Sequence, residues 1–252
     1  MTSVLELDHI EKRFGAKTAV ADLSLSLPGG EIFGFLGPNG AGKTTTFKMI
    51  VGLLKPTGGT VRILGMDVAE LPVEAKREIG FVPDTPLLYE KLTALEYLRF
   101  VADLHEIPRP EADRKGRELL EMFDLAEVAE DLIDSFSHGM KQKTALAGAL
   151  IHDPRLLILD EPTVGLDPKS ARLIKDILRR LTRSGVAVIL STHILEIAEQ
   201  MCDRIGIINR GELIAVGTMD ELRSGAADRS LEDIFLQLTG GDSYFEPAAV
   251  AE

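Results

Sequence analysis

A glycine-rich loop followed by a lysine and three threonines is the part of the sequence that points most directly to chemistry. Residues 37 to 44 read GPNGAGKT and fit the pattern G-x-x-x-x-G-K-[ST], which is called the P-loop. In such a loop, inward-turned backbone N–H groups form an anion-binding nest, and the following helix adds the positive end of its dipole. Lys43 can reach β- and γ-phosphates, the Thr44 hydroxyl can ligate Mg²⁺, and Thr45 can hold an α-phosphate oxygen. A plain turn is the alternative, but we predict nucleotide binding by Gly37, Pro38, Asn39, Gly40, Ala41, Gly42, Lys43, Thr44 and Thr45.

Two further polar groups follow apolar runs that are typical of buried strands. Leu156–Leu159 leads into Asp160 and Glu161, and Val186–Leu190 leads into Ser-Thr-His193. Buried strands deliver their end residues to the rim of a sheet, where α/β proteins bind ligands. We predict that Asp160 holds Mg²⁺, that Glu161 orients or deprotonates a water molecule, and that His193 contacts a γ-phosphate. Exposed acids at strand ends and a structural histidine are the alternatives.

The elements that must position these groups alternate between strands and helices. Val4–Ile10 and Ala19–Leu27 alternate apolar and polar residues, as half-buried antiparallel strands do, whereas Ile32–Leu36 is a continuous apolar run. Ile205–Asn209 and Leu213–Val216 indicate a hairpin. Helical patterns cover Lys43–Leu53, Met140–Ile151, Pro168–Leu181 and Leu195–Cys202. The pattern predicts an α/β sheet with helices on both sides.

Residues from about 86 to 137 differ from the rest, because they are charged and helical and contain no good strand. Ala94–His105 and Glu111–Phe123 are the clearest helices, and we predict a helical subdomain inserted into the core. Late in the chain, Leu231–Leu238 indicates one short helix, followed by a tail ending EPAAVAE that we expect to be frayed.

Composition restricts the setting in which the protein acts. The formal net charge of -12 argues against a nucleic-acid partner. One cysteine, Cys202, cannot form an intrachain disulfide, which fits a reducing cytoplasm. We see no signal peptide, and no apolar run approaches the roughly 18 residues of a membrane span. The chain is therefore expected not to cross a membrane by itself.

The order of these motifs resembles the ATP-binding cassette (ABC) family over nearly all of residues 3 to 225. Phe14 stands where the family has an aromatic residue that stacks on adenine, and Gly165-Leu166-Asp167 resembles the loop that crosses to a second copy. Ser137, His138, Gly139 and Met140 occupy the place of the family signature, usually written L-S-G-G-Q. The resemblance implies an α/β fold: a P-loop NTPase core with an antiparallel β subdomain and an inserted helical subdomain. It implies an ATPase domain over residues 1–225 and a C-terminal helix and tail over 226–252.

The resemblance also implies a mechanism, in which two copies or homologous cassettes pair head to tail and sandwich two ATP molecules. Each ATP would lie between one P-loop and the partner's signature segment, so that the four signature residues contact the partner's nucleotide. Lys43, Glu161 and His193 would be the catalytic residues, and Mg²⁺ would be held by Thr44, Asp84 and Asp160.

The sequence departs from the family pattern at three positions. Glycine is usual where His138 stands, glutamine where Met140 stands, and glutamine where Asp84 stands. Neutral variation within a subfamily is one interpretation of the signature changes; the other is that His138 places an extra donor near the partner's phosphate. Asp84 can still serve Mg²⁺ and the link to the helical subdomain, unless it is only a turn residue.

By resemblance alone, the chain is similar to bacterial ATPases paired with exporter permeases, which would hold it on the inner face of the cell membrane. A permease helix would then rest in a groove formed by residues from about 84 to 105, with about half of its apolar members packing internally. The candidates are Leu87, Leu88, Tyr89, Leu92, Leu95, Tyr97 and Leu98. A soluble ABC-type ATPase and a module that binds ATP without hydrolysing it are the alternatives. One P-loop, one signature and no long heptad stretch favour the transporter.

Overall fold

Two sheets share one apolar core in the computed structural model, which describes residues 3–223 and 230–240. The first sheet is antiparallel where its strands pair, in the order β2-β1-β4-β5. Its strands are β1 (Ser3–Phe14), β2 (Lys17–Pro28), β4 (Gly58–Ile63) and β5 (Met66–Asp67). The predicted antiparallel pair is confirmed, whereas β4 and β5 were not predicted, because they are short and carry a mixed composition.

The second sheet has six strands in the order β10-β9-β3-β8-β7-β6, and it carries the predicted central strands. All its pairings are parallel except the hairpin of β9 with β10. Its strands are β3 (Ile32–Leu36), β6 (Ile79–Val82), β7 (Leu156–Asp160), β8 (Ala187–Thr192), β9 (Arg204–Asn209) and β10 (Glu212–Gly217). The fold class is therefore α/β, as predicted.

Helices cover the second sheet and fill the segment between β6 and β7. They are α1 (Lys43–Ile50), α2 (Pro72–Arg77), α3 (Ala94–Leu104), α4 (Arg109–Met122), α5 (His138–Leu150), α6 (Pro168–Arg183), α7 (Leu195–Met201), α8 (Met219–Arg223) and α9 (Leu231–Thr239). Short 3₁₀ turns lie at Ala126–Val128 and Ile133–Ser135. Among these described helices, none is both long and apolar enough to cross a membrane. Helices α2 and α8 were not predicted.

The central strands are buried on both faces, which explains their continuous apolar composition. In β3, Phe33 and Phe35 point into the core shared with the first sheet, while Ile32 and Leu36 point into the core under the helices. Strand β7 alternates in the same way. Apolar packing on both faces of the six-stranded sheet thus holds the strand ends that carry the polar groups.

The segment between β6 and β7 is helical, as the sequence predicts, with a single described β-bridge between Thr93 and Leu132. Its apolar residues, including Leu95, Leu98 and Leu120, belong to the same buried cluster as the helical face of the sheet. The division of the chain into domains at residues 86–137 and 225 stays a prediction. Helix α9 confirms the predicted C-terminal helix, while the tail after residue 240 lies outside the described residues.

Two stacked histidines lie between β6 and the helical segment. The rings of His105 and His152 are 3.7 Å apart between centroids, and His152 Nε2 lies 3.0 Å from the carbonyl oxygen of Ile79. Burial, and next the neighbouring His105, lowers the pKa of His152 from 6.5 to about 4. The folded protein therefore stabilises the neutral form of the His152 ring relative to the protonated form.

We predict that His152 makes the free energy of unfolding fall as the pH is lowered from about 6.5 to about 4. Between these pH values the unfolded chain takes up a proton at His152 that the folded chain does not. Above about pH 6.5, the contribution of His152 to the free energy of unfolding is fully present. His152→Gln keeps a donor for Ile79 and removes the titration. Urea unfolding across this range should give the variant a shallower pH slope, by up to about one proton. Identical slopes would contradict the assignment.

Candidate functional site

The P-loop, Asp160, Glu161 and His193 meet at one rim of the six-stranded sheet, because three parallel strands end there. Leu36 pairs with Thr192 and Asp160 pairs with Ser191, so the strand ends of β3, β7 and β8 are level. Asp160 is the last residue of β7, and the P-loop, Glu161 and His193 directly follow β3, β7 and β8. Helix α1 is fixed against β3 by the stacked rings of Phe47 and Phe35, whose centroids are 5.9 Å apart. The loop between them is thus held at both ends.

Two glycines of the loop are required by close backbone contacts. A Cβ at Gly37 would lie 2.3 Å from the carbonyl oxygen of Ile208, and one at Gly42 would lie 2.6 Å from that of Ala19. Gly42 also has a φ of +114° as the N-cap of α1. A side chain at either position would displace the loop, so the packing that shapes the anion nest depends on glycine.

Lys43 lies over its own loop, with Nζ donating to the carbonyl oxygens of Gly37 at 2.6 Å and Pro38 at 3.2 Å. The residue is buried, with 8% exposure. Burial lowers the pKa of Lys43, while the carboxylates of Glu161 and Asp160 act in the opposite direction. Phosphate oxygens entering this loop would give the buried ammonium anionic partners, a stronger contact than neutral carbonyls provide.

Asp160 is buried, with 3% exposure, and its two carboxylate oxygens have separate hydrogen-bond donors. Thr44 Oγ1 donates to Oδ2 at 3.1 Å, and Ser191 Oγ donates to Oδ1. A hydroxyl oxygen and a carboxylate oxygen side by side suit Mg²⁺, which takes few protein oxygens and keeps several waters. The residues present therefore fit the predicted metal. Ser191 was not predicted, although its position two residues before His193 could have indicated it.

Glu161 and His193 form a pair at the edge of the cleft. His193 Nδ1 is 3.0 Å from Glu161 Oε1, and the backbone N–H of His193 donates to Oε2 at 3.3 Å. Glu161 has a φ of +52°, and its backbone N–H faces the Oγ and the carbonyl oxygen of Ser191 at 3.1 and 3.2 Å. A carboxylate oriented by a histidine at a sheet rim can position water for attack.

The cleft at this rim has a volume of about 350 Å³, and it is lined by most of the predicted residues. Phe14 lies at one side with 51% exposure, and Lys12 Nζ is 5.3 Å from its ring centroid. Asp84 also lines the cleft; it is exposed, and its Oδ1 accepts a hydrogen bond from the backbone N–H of Thr85 at 2.8 Å. The lining residues are Phe14, Lys17, Ala19, Pro38, Asn39, Gly40, Ala41, Gly42, Lys43, Thr44, Thr45, Asp84, Asp160 and Glu161. Lys17 and Ala19 were not predicted, because only the hairpin of β1 and β2 brings them there.

The signature residues do not line this cleft. Ser137 is the N-cap of α5, where its Oγ accepts a hydrogen bond from the backbone of Met140 at 3.3 Å. His138 and Gly139 instead face the loop after Glu161: His138 Nε2 is 3.2 Å from the carbonyl oxygen of Val164. The structure thus brings together the P-loop, the carboxylates and His193, and leaves the signature apart from the cleft of its own chain.

Comparisons with known proteins agree with this geometry. The family model described as ABC transporter matches residues 20–164. The linearmycin resistance ATP-binding protein LnrL of Bacillus subtilis is 44% identical over 94% of this chain and 75% of its own length. The daunorubicin/doxorubicin resistance ATP-binding protein DrrA of Streptomyces peucetius is 38% identical over 91% of this chain and 70% of its own length.

Solved structures give the same result. One ATP-binding subunit of an ABC transporter superposes with a TM-score of 0.88 at 34% identity, covering 94% of this chain and 99% of that one. A dimeric post-hydrolysis cassette bound to ADP and Pi superposes with a TM-score of 0.78 at 29% identity, covering 85% and 98%. With the matched family model spanning more than half of the sequence, these findings show that the chain belongs to the ABC transporter family, as an ATP-binding subunit that hydrolyses ATP.

Proposed function

We propose that the protein drives export through a separate membrane permease, and that it works as a head-to-tail dimer with ATP and Mg²⁺ between the two copies. The observation that carries the dimer is the position of α5: its capped N-terminus lies outside the cleft of its own chain. A helix N-terminus is suited to bind phosphate, so the natural ligand for Ser137 is the nucleotide of a second copy. A related cassette was solved as a dimer with ADP and Pi.

In this proposal, each chain contributes the hydrolytic machinery to its own nucleotide. Lys43 leaves the loop carbonyls for the β- and γ-phosphates, and Phe14 offers its exposed ring to the adenine. Mg²⁺, held by Thr44 and Asp160 with Asp84 at the rim, would neutralise charge on the phosphates. Glu161, oriented by His193, positions the water that attacks the γ-phosphate, and hydrolysis releases ADP and Pi. Loss of the γ-phosphate removes the link between the copies, and the dimer opens.

The export role is supported by the printed names of the relatives, two of which are drug resistance ATP-binding proteins. The permease is supported by an exposed apolar surface next to the helical segment. Leu87 is 87% exposed and Tyr89 59% exposed, and the Tyr89 ring meets Phe100 edge to face at 4.9 Å. By contrast, Leu95 and Leu98 are fully buried. Exposed aromatic and apolar side chains of this kind anchor a partner helix, and such an attachment would place the protein at the inner face of the membrane.

We predict that Glu161→Gln retains ATP binding and slows hydrolysis by about 10²–10⁴, because the base that positions water loses its charge. The variant should accumulate as an ATP-held dimer, measured by sizing chromatography of the protein at saturating ATP with Mg²⁺. Lys43→Ala in the same background is the control, because it removes the contact to the phosphates and should give a monomer. Full hydrolysis by Glu161→Gln, or a monomer at saturating ATP, would contradict the proposal.

We predict that Tyr89→Glu releases the protein from membranes that contain its permease and leaves basal ATP hydrolysis intact, since Tyr89 lies outside the nucleotide cleft. Membrane fractionation with the permease co-expressed measures the effect. Leu53→Glu is the matched control, because Leu53 is a similarly exposed apolar residue, 66% exposed, in the turn that follows α1 rather than in the segment of Leu87 and Tyr89. Wild-type sedimentation of Tyr89→Glu would place the permease elsewhere, and equal release of both variants would indicate a nonspecific effect of charge.

A further inference from the structure

His138 occupies a family glycine position, and its ring packs on the loop that follows the catalytic glutamate of the same chain. Its Nε2 lies 3.2 Å from the carbonyl oxygen of Val164. Gly165 lies beside the ring: a Cβ there would be 3.1 Å from His138 Cδ2, and the φ of Gly165 is +73°. The ring therefore takes the space that a side chain at position 165 would need, so the histidine and this glycine fit each other.

A second side chain of α5 contacts the same loop. Gln142 is buried, with 2% exposure, and its Nε2 donates to the carbonyl oxygen of Pro162 at 3.4 Å. Residues four apart share one face of a helix, so His138 and Gln142 are presented together. Their targets, the carbonyls of Pro162 and Val164, are two residues apart. Helix α5 thus contacts this loop at two points, and only the contact with Val164 depends on the residue at position 138.

Hydrogen bonds within the loop connect Val164 to Glu161, so that a displacement of Val164 would also displace Glu161. The backbone N–H of Val164 donates to the Glu161 carbonyl at 3.3 Å, and that of Leu166 donates to the Thr163 carbonyl at 3.3 Å. Asp167 ends the loop as the N-cap of α6, where Oδ1 accepts from Ser170 N at 3.0 Å. The turn from Glu161 to Val164 therefore links the contact of His138 directly to the catalytic glutamate. The second turn and the capped helix α6 restrain the loop on the other side of Val164.

We propose that His138 is a positioning residue that ties the N-terminus of α5 to residues 161–167, so that this helix end and Glu161 shift together. Its functional consequence rests on the head-to-tail dimer proposed above. There, the same helix end faces the second copy's ATP, while Glu161 acts on the nucleotide of its own chain. Arrival of one ATP at the helix end would therefore adjust the hydrolytic glutamate of the other site. The contact itself is a property of the single chain.

Hydrogen exchange of the full chain without nucleotide tests the contact. His138→Leu removes the donor at similar size, whereas His138→Gln carries an amide that can reach the same carbonyl. We expect the amides of residues 161 and 163–167 to exchange about tenfold faster in the leucine variant and at the wild-type rate in the glutamine variant. Glu90→Gln is the matched control, because it alters a different contact of α5, the 2.5 Å pair of Lys141 with Glu90. Unchanged exchange in His138→Leu would overturn the proposal.

Steady-state ATP hydrolysis, with nucleotide affinity measured separately on the isolated chain, tests the consequence. We expect His138→Leu to lower kcat about tenfold with nucleotide affinity unchanged, and His138→Gln to restore kcat. Lost nucleotide affinity would place His138 in the cleft of its own chain and overturn the assignment, as would an unchanged kcat beside faster exchange. Absence of hydrolysis in the wild type would overturn the proposed function and the coupling with it, while the exchange comparison would still decide the contact.

Discussion

The buried carboxylate of Asp160 is the constraint on which the site depends. A buried charge is costly unless hydrogen bonds or a cation compensate it. Here Thr44, from the first turn of α1, and Ser191, from the end of β8, supply donors to its two oxygens. One side chain thereby fixes the relative positions of the P-loop helix and two central strands. Ser191 Oγ also accepts a hydrogen bond from the backbone N–H of Glu161, so the groups proposed to bind the metal and to position water are held by the same side chain.

The second buried charge, on Lys43, complements the first. Among the residues that the structure describes, its ammonium donates hydrogen bonds to the loop carbonyls of Gly37 and Pro38, and burial lowers its pKa. Holding the buried ammonium of Lys43 costs free energy in the absence of a ligand. Binding of phosphate oxygens offsets this cost, because charge-assisted hydrogen bonds are stronger than neutral ones. The site is therefore arranged for a ligand that carries negative charge towards Lys43 and accepts a divalent cation beside Asp160, as a nucleoside triphosphate with Mg²⁺ does.

The sequence predicted those parts of the structure whose signal is local. Continuous apolar runs such as Ile32–Leu36 identified the central strands, and the strand ends that follow them located Asp160, Glu161 and His193. Strands β4 and β5 and helices α2 and α8 were missed, because short elements of mixed composition have no clear periodicity. Tertiary contacts could not be predicted from spacing: the bond from Ser191 to Asp160 and the packing of His138 on Gly165 each join residues far apart in the sequence.

The dependence of ATP affinity on Mg²⁺ tests the central role of Asp160 most directly. Calorimetric titration of ATP, with Mg²⁺ and then with excess chelator, should be compared between the wild type and Asp160→Asn, which keeps the size of the side chain. Its amide oxygen can accept a hydrogen bond from one of the two hydroxyls of Thr44 and Ser191, and its NH₂ group can donate to the other. We expect Mg²⁺ to strengthen ATP binding by at least about tenfold in the wild type, and this gain to be largely lost in the variant. An equal gain from Mg²⁺ in both proteins would contradict the account, because the metal would then be held without this carboxylate.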